Sequence, residues 1–325
     1  YQLCKQILTG SFAMVPPQEE EPALLIKSRL ARIANPSGHV IARKAAMEIF
    51  SSMKPVSIPG ILKDLISKET EWVNDVCKKL PVLYLLKSFE FDEGACAFFL
   101  QHIEALTTIM LPQRQTSINQ IASETYSIMS AHLLQSRVFR SLHGLRQDKN
   151  LLPWYVSNLA GLLIQSYDAG RGLLSNALLQ AFCNRTSIAM NNHQCLLDAV
   201  TETLRFDPPV QNTRRVLVED ICLGGVPLTK GETILVVLAA ANRDAAVFHD
   251  PHTWNRARPN NMAHLTFGAG PHACPAHAWA VKMTAEALFY LFNKFSNIEL
   301  SKGPIEYEPL VNLRMPMAIR LNCVL

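Results

Sequence analysis

The sequence predicts a mainly α-helical protein with small β-sheets. Between residues 39 and 206, apolar residues recur at spacings of three and four, which is the period of an amphipathic helix. Between 210 and 240, β-branched residues are interrupted by Gly-Gly at 224–225 and Lys-Gly at 230–231, which is typical of short antiparallel strands. Residues 312–325 alternate in a way that predicts a terminal hairpin.

The helical pattern also gives approximate boundaries. Pro208 and Pro209 end the helix that precedes them, because proline cannot continue a helix. The most apolar segment is interrupted by Gln165, Asp168 and Arg171, so it is expected to be a buried helix and not a membrane span. The predicted helices are 39–53, 93–111, 117–139, 159–183, 195–206 and 280–295.

Composition narrows the class of protein. Of the 325 residues, 49% are hydrophobic and 18% are charged, which is too apolar for a disordered chain. The net charge is +4 and the cations form no run, so an acidic protein partner is at least as well supported as nucleic acid. With no signal-peptide pattern and no CxxC pair, we expect a cytoplasmic protein whose eight cysteines are reduced, most of them in the core.

The stretch LTFGAGPHACPAHA, residues 265–278, places Cys274 in a glycine-rich loop that leads into a helix. A packed core thiol, a disulfide, a nucleophile and a metal ligand are all open for this residue. Gly268 and Gly270 permit positive φ or close approach to a flat ligand, which a packed thiol does not need. The N-terminus of the helix that follows Cys274 would stabilise a thiolate. On the same loop, Phe267 offers a flat shield and His272 a donor that can carry charge. These features favour a soft metal ligand.

The pattern Phe267-x-x-Gly270-x-His272-x-Cys274 resembles the haem-binding loop of the cytochrome P450 superfamily, in which the cysteine is the axial thiolate of the haem iron. Glu202-x-x-Arg205 is similar to the E-x-x-R pair of that family, although alone it would be an ordinary solvated helix pair. The stretch 240–259 resembles the segment that follows, with Arg258 placed to join both residues as a structural ion-pair network.

Further upstream, residues 35–51 resemble the family helix that begins with a His-x-x-x-Arg pair. The resemblance implies that His39 and Arg43, with Arg215 and His272, contact the haem propionates. Position 276 is Ala where the family usually has Gly, a change between small residues. The implied haem b site consists of His39, Arg43, Arg215, Phe267, Gly268, Gly270, His272, Cys274 and Ala276, with Cys274 as the metal ligand.

The implied catalytic residues are Asp168, Ala169 and Gly170, and here the chain departs from the family. Most members carry an acid followed by threonine, and Asp168 occupies the acid's place, but Ala169 has no hydroxyl. Activation of dioxygen needs protons, so Asp168, Tyr167, Gln165, an ordered water or the substrate would have to supply them. The structural alternative for Asp168 is an acid bonded to backbone groups at a helix bend.

The resemblance implies a monooxygenase of the soluble bacterial type that acts on a small organic, secondary-metabolite-type substrate. Electrons would come from NAD(P)H through ferredoxin reductase and a ferredoxin-type partner, with no nucleic acid and no membrane span involved. Because the distal threonine is missing, a peroxide-driven enzyme, or one performing dehydration, isomerisation or coupling, is the alternative. A family member that binds haem without catalysis is a third possibility.

The expected organisation is a short N-terminal remnant at residues 1–34 and a single haem-thiolate catalytic domain at 35–325. The family normally has a larger portion before the His-x-x-x-Arg helix. The N-terminal sheet and helix portion is therefore expected to be shortened, either naturally or because part of the chain is missing.

Overall fold

The computed structural model describes residues 1–16, 25–34, 36–110 and 116–324, apart from the side chains of 25, 109 and 116–123. It is mainly helical, as the sequence predicts. The α-helices are α1 (Gln2–Thr9), α2 (Leu25–Ser28), α3 (Pro36–Ser51), α4 (Ile58–Leu65), α5 (Leu80–Ser88), α6 (Glu93–Thr107), α7 (Thr116–Leu133), α8 (Arg137–Arg140), α9 (His143–Gln147), α10 (Leu152–Cys183), α11 (His193–Phe206), α12 (Leu238–Ala241) and α13 (His277–Lys294). None of these helices combines the length and the apolarity that crossing a membrane requires.

Small antiparallel sheets complete the fold. The strands are β1 (Ala13–Met14), β2 (Glu69–Glu71), β3 (Asn212–Leu217), β4 (Ile221–Leu223), β5 (Val226–Leu228), β6 (Thr233–Val237), β7 (Asn297–Leu300) and β8 (Arg320–Val324). Their pairing order is β1-β3-β6 in one sheet, β2-β8-β7 in a second and β4-β5 in a third. In the first sheet Arg215 lies opposite Ile234. The predicted mixture of helices and short strands is therefore confirmed.

The described chain divides into two compact units. Unit 1 comprises Tyr1–Met14, Ile58–Lys78 and Ala169–Leu325, and unit 2 comprises Val15–Ser57 and Lys79–Asp168. Helix α10 contributes its first half to unit 2 and its second half to unit 1. The sequence-based boundary at residue 34 stays a prediction.

In unit 1, an apolar cluster supports the start of the cysteine loop. Leu265 packs with Ile7 and Leu8 of α1, Val236 of β6 and Leu238 of α12, and all five side chains are at most 3% exposed. Burying such side chains contributes about 1.5–3 kcal/mol each. The loop therefore begins at a well-packed residue.

In unit 2, small residues let α3 pack closely. Ala42 and Ala46 of α3 are buried with Ala31 and Ala34, and Trp154 packs against this cluster. The spacing of four along α3 places its two alanines on one face of the helix. This packing determines the position of the helix that carries His39 and Arg43.

Several sequence-based boundaries are wrong. The segment 312–325 is not a hairpin in itself: β8 pairs with β2 and β7, while bridges join Tyr307 to Pro316 and Val210 to Leu313. The helix predicted at 117–139 ends at Leu133, because the Ser136 hydroxyl accepts a hydrogen bond from Phe139 N and begins α8. Residue 111, at the end of another predicted helix, lies outside the described residues. Among the described residues no disulfide joins any of the eight cysteines, and only Cys77, Cys96 and Cys323 of them are buried.

Helix α10 contacts its neighbours in unit 1 at a glycine. A Cβ on Gly172 would lie 2.7 Å from Pro209 Cβ and 3.4 Å from Met315 Cβ. A proline ring cannot rotate away, so only glycine permits this approach.

We expect Gly172→Ala to lower the free energy of unfolding by about 1 kcal/mol, because overpacking against Pro209 outweighs the gain in helix propensity. The matched control is Gly94→Ala in α6, where the nearest atom to a Cβ is Asp92 Oδ1 at 3.4 Å. This control should raise the unfolding free energy by about 0.5–1 kcal/mol. Equal effects of the two variants in urea unfolding would contradict the close approach at Gly172.

Candidate functional site

The cysteine loop is a tight turn in front of α13. Cys274 N donates a hydrogen bond to Phe267 O over 2.8 Å. Gly268 and Gly270 have φ values of +71° and +69°, in the left-handed region that favours glycine. A Cβ on Gly270 would lie 2.7 Å from Leu8 O, so α1 closes against this side of the loop. The half-buried Cys274 is therefore held by backbone geometry at the entrance to a helix.

Two polar side chains hold the start of this loop. Asn242 Oδ1 accepts a hydrogen bond from Leu265 N over 2.7 Å, and Asn242 Nδ2 donates to Thr266 Oγ1 over 2.8 Å. The Thr266 hydroxyl in turn donates to Leu204 O over 2.6 Å. Asn242 is fully buried and Thr266 is 6% exposed, so these bonds replace water for buried backbone groups. They tie the loop to α11.

Glu202 forms a buried ion-pair network with two arginines. Its carboxylate accepts hydrogen bonds from Arg205 over 2.6 and 2.9 Å and from Arg258 Nε over 3.3 Å. Glu202 and Arg205 are fully buried, and Arg258 is 6% exposed. Arg205 also donates to Asn242 O over 3.0 Å, so the network continues into the residues that hold the loop.

The other sequence-predicted haem contacts lie in both units. Arg215 is on β3 in unit 1, 6% exposed, and donates to Thr213 Oγ1 over 3.2 Å and to Arg214 O over 2.8 Å. His272 ends the short 3₁₀ turn Gly270–His272 of the loop. His39 and Arg43 lie one turn apart on α3 in unit 2, both half-buried. Ala276 precedes the first residue of α13.

His264, just before the loop, has an imidazole that burial keeps neutral. Desolvation, with smaller contributions from His277 and Arg205, lowers the pKa of His264 to about 4. Its Nδ1 accepts a hydrogen bond from Thr266 N over 3.3 Å, and its ring centroid lies 5.6 Å from that of Phe267. This histidine therefore supports the loop as a hydrogen-bond acceptor and an aromatic contact, not as a cation.

The three predicted distal residues follow one another in α10. Asp168 and Ala169 are half-buried, and Gly170 is buried. Two of the alternative proton donors are already engaged in unit 2: Tyr167 OH donates to Glu104 Oε1 over 2.5 Å, and Gln165 Nε2 donates to Gly161 O over 2.9 Å. Ala169 offers no polar group, so Asp168 is the acid that α10 contributes at this position.

The comparisons with known proteins identify the family of this chain. A family model described as cytochrome P450 matches residues 178–313, which include Glu202, Arg258 and Cys274. A protein named cytochrome P450 140 from Mycobacterium tuberculosis is 37% identical over 309 residues, covering 86% of this chain and 68% of that protein. The chain belongs to the cytochrome P450 family. A biotin biosynthesis cytochrome P450 of Bacillus subtilis is 30% identical over 185 residues, covering 56% of this chain and 47% of that protein.

Solved P450 structures share the fold. P450BioI, in a complex with an acyl carrier protein ligated to hexadec-9Z-enoic acid, superimposes with a TM-score of 0.85 at 22% identity, covering 99% of this chain and 91% of that chain. CalO2 superimposes with a TM-score of 0.83 at 17% identity, covering 99% and 88%. The expected cytochrome P450 fold is therefore confirmed.

Membership makes this P450 a haem-thiolate oxidoreductase of the general monooxygenase class. The residues present fit the cofactor: a half-buried thiol on a glycine-shaped turn leads into α13, and a buried arginine lies on β3. A thiolate is the soft ligand that haem iron takes in this family. Haem is thus the cofactor that family and donor set both indicate.

The sequence pattern did not reveal Asn242 or the partners of Arg171. In unit 1, Arg171 Nη1 lies 3.2 Å from Glu308 Oε1 and Nη2 lies 3.3 Å from Met315 Sδ. Glu308 is 137 residues away in sequence, so no local spacing predicts the pair. For Asn242, the sequence offers one signal: an asparagine where a helical pattern gives way to an irregular segment commonly forms hydrogen bonds to backbone groups.

We expect Glu202→Gln to lower the free energy of unfolding by about 3 kcal/mol, because it leaves two buried guanidinium groups without a counter-charge. The matched control is Glu286→Gln in α13, whose partner Lys282 has a side chain that is 71% exposed. That control should cost less than about 1 kcal/mol. Urea unfolding of the two variants measures the difference, and equal losses would contradict a buried network.

Proposed function

We propose that this P450 inserts one oxygen atom into a small organic, secondary-metabolite-type substrate. It would receive electrons from NAD(P)H through ferredoxin reductase and a ferredoxin-type protein. The observation that carries the proposal is the Cys274 turn, held at Phe267 O and tied through Asn242 to the Glu202 network. A relative named 6-deoxyerythronolide B hydroxylase, 33% identical over 141 residues, supports an oxygen insertion.

In this proposal the Cys274 thiolate would hold a haem, which would supply the activation of dioxygen. Gly268 and Gly270 shape the turn, Phe267 shields the sulfur, and Ala276 leaves room beside it. The cationic or hydrogen-bonding groups for the propionates are His39, Arg43, Arg215 and His272. Arginine suits this role because its guanidinium binds carboxylates bidentately.

Protons would be delivered from the α10 side. Asp168 holds a proton or passes it on, while Ala169 and Gly170 leave space for a water or for a polar group of the substrate. Tyr167, which donates to Glu104, and Gln165, which donates to Gly161 O, are the other candidates on this helix. A positioned proton donor contributes about 10²–10⁴ in rate.

The second candidate is a peroxide-driven enzyme. Ala169 favours it, because an enzyme that receives its oxygen already reduced has less need of a hydroxyl for proton delivery. In the dehydration, isomerisation or coupling version, the enzyme likewise omits the usual activation of dioxygen. The electron source distinguishes these candidates from the monooxygenase.

The test compares two supplies of oxidant for the haem-loaded protein. We expect product from a panel of small organic substrates to form much faster with NADPH, ferredoxin and ferredoxin reductase together than with hydrogen peroxide alone. A higher rate with peroxide, and no stimulation by the reductase system, would establish the second candidate instead.

A substitution at position 169 tests the proton supply. We expect Ala169→Thr to lower the ratio of hydrogen peroxide released to NADPH consumed by about twofold or more, because its hydroxyl adds a proton-donating group. Ala169→Val has nearly the same shape without the hydroxyl and should leave the ratio unchanged or raised. The same change in both variants would mean that side-chain volume, not proton donation, is responsible.

A further inference from the structure

Helix α10 carries in unit 1 a fully buried asparagine that the proposed function does not use. Asn176 is 0% exposed, and its Nδ2 donates two hydrogen bonds, to Asp207 O over 3.0 Å and to Arg314 O over 3.1 Å. These acceptors are 31 and 138 residues away in sequence. One amide nitrogen therefore attaches two distant chain segments to the same helix.

The partners of this side chain determine its orientation. Both acceptors are carbonyl oxygens, which cannot donate, so the nitrogen of the Asn176 amide must face them. Its Oδ1 is buried and accepts no hydrogen bond from the described residues. A buried acceptor of this kind destabilises the folded state, and asparagine is a poor helix former. Asn176 is therefore unfavourable at this position except for the two bonds that it donates.

The two attached segments are also joined to each other, and we call residues 207–211 and 306–317 the paired segments. Three backbone contacts join them: Arg314 N donates to Pro209 O over 2.8 Å, Gln211 N donates to Asn312 O over 2.9 Å, and Val210 forms an antiparallel bridge with Leu313. Because Asn176 bonds to both segments, it holds the pair as one body against α10.

The face of α10 that holds the paired segments also carries a predicted distal residue. Ala169, Gly172 and Asn176 follow one another at spacings of three and four, so they lie on one side of the helix. Pro209 and Met315, one from each segment, lie against Gly172, where an added Cβ would be 2.7 Å and 3.4 Å from their Cβ atoms. The paired segments therefore contact α10 one turn away from Ala169.

We propose that Asn176 is a positioning residue for substrate specificity, because it fixes the paired segments beside the distal position. The inference rests on the proposed function, since it takes Ala169 to face the substrate. The side chains that lie against this face of α10, Pro209 and Met315, are apolar, so they suit an apolar part of the substrate. Segments that are fixed before binding distinguish ligand shapes better than mobile ones, since less conformational entropy is lost when the ligand binds.

The test compares variants of Asn176 with a variant of its neighbour on α10. Asn176→Asp keeps the size of the side chain but replaces the donor by an oxygen that repels both carbonyl groups. Asn176→Ser removes the two bonds without adding a charge, and it is the second variant if the aspartate prevents folding. The matched control is Ser175→Ala, because Ser175 is equally buried and donates within the helix to Arg171 O over 2.7 Å.

Hydrogen exchange of the full chain, with and without haem, measures the attachment directly. We expect both Asn176 variants to accelerate exchange in peptides from the paired segments by about tenfold or more, and Ser175→Ala to leave it unchanged. This readout needs no oxygen insertion, so it decides the attachment even if the proposed monooxygenase activity fails. Unchanged exchange in both Asn176 variants, or acceleration spread evenly over unit 1, would overturn the proposal.

Two ligands of haem iron then measure the effect on specificity. Imidazole and 4-phenylimidazole bind through the same kind of nitrogen, but the second carries a phenyl ring that must fit beside the metal. By absorption spectroscopy, we expect the Asn176 variants to weaken 4-phenylimidazole binding by about fivefold or more and imidazole binding by less than about twofold. Ser175→Ala should change neither affinity. A ratio of the two affinities that stays constant or rises in the Asn176 variants would overturn the positioning role, because a merely structural residue would affect both ligands alike.

Discussion

The ion pairs of the buried Glu202 carboxylate are the interactions on which the rest of the site depends. The carboxylate binds Arg205 and Arg258, and Arg205 then donates to the carbonyl oxygens of Asn242, Pro251 and Thr253. The segment that these carbonyls belong to has little regular structure, so its buried backbone groups need side-chain partners. A buried ion pair adds little net stability compared with apolar packing, but its directional bonds specify one path for this chain segment. Asn242 connects this segment to the start of the Cys274 loop, so the position of the loop depends on the same network.

The two groups of predicted site residues differ in how they are held. In unit 1, the Cys274 turn is held by a backbone hydrogen bond and by two left-handed glycines. On α10, Ala169 carries no polar side-chain group and Tyr167 is bonded to Glu104. In the proposed function, Cys274 would be a well-positioned ligand, and part of the proton supply would come from water or substrate. This division is consistent with a family in which one thiolate loop serves many reactions.

The sequence predicted the parts of the fold that depend on local patterns. Periodicity located α3, α10, α11 and α13, and the spacing of Glu202 and Arg205 placed them on one helix face. Patterns could not show that β8 pairs with β2 or that Arg171 meets Glu308, because these contacts join distant segments. The break between α7 and α8 depends on the Ser136 cap. The apolar periodicity continues across this break, so it did not predict the cap. Among the site residues, the loop could be predicted because its glycines and cysteine are adjacent, whereas Asn242 acts across 23 residues.

The absorption spectrum of the reduced, carbon-monoxide-bound protein tests the central claim most directly, because it reports the axial ligand of the haem. It should be recorded for the unmodified chain, for Cys274→Ser, and for Cys183→Ser, which changes an exposed cysteine on α10. A strongly red-shifted Soret band in the unmodified chain and in Cys183→Ser, absent from Cys274→Ser, is the result that the account predicts. An unshifted band in the unmodified chain, or a red-shifted band that survives in Cys274→Ser, would contradict the assignment of Cys274 as the thiolate ligand.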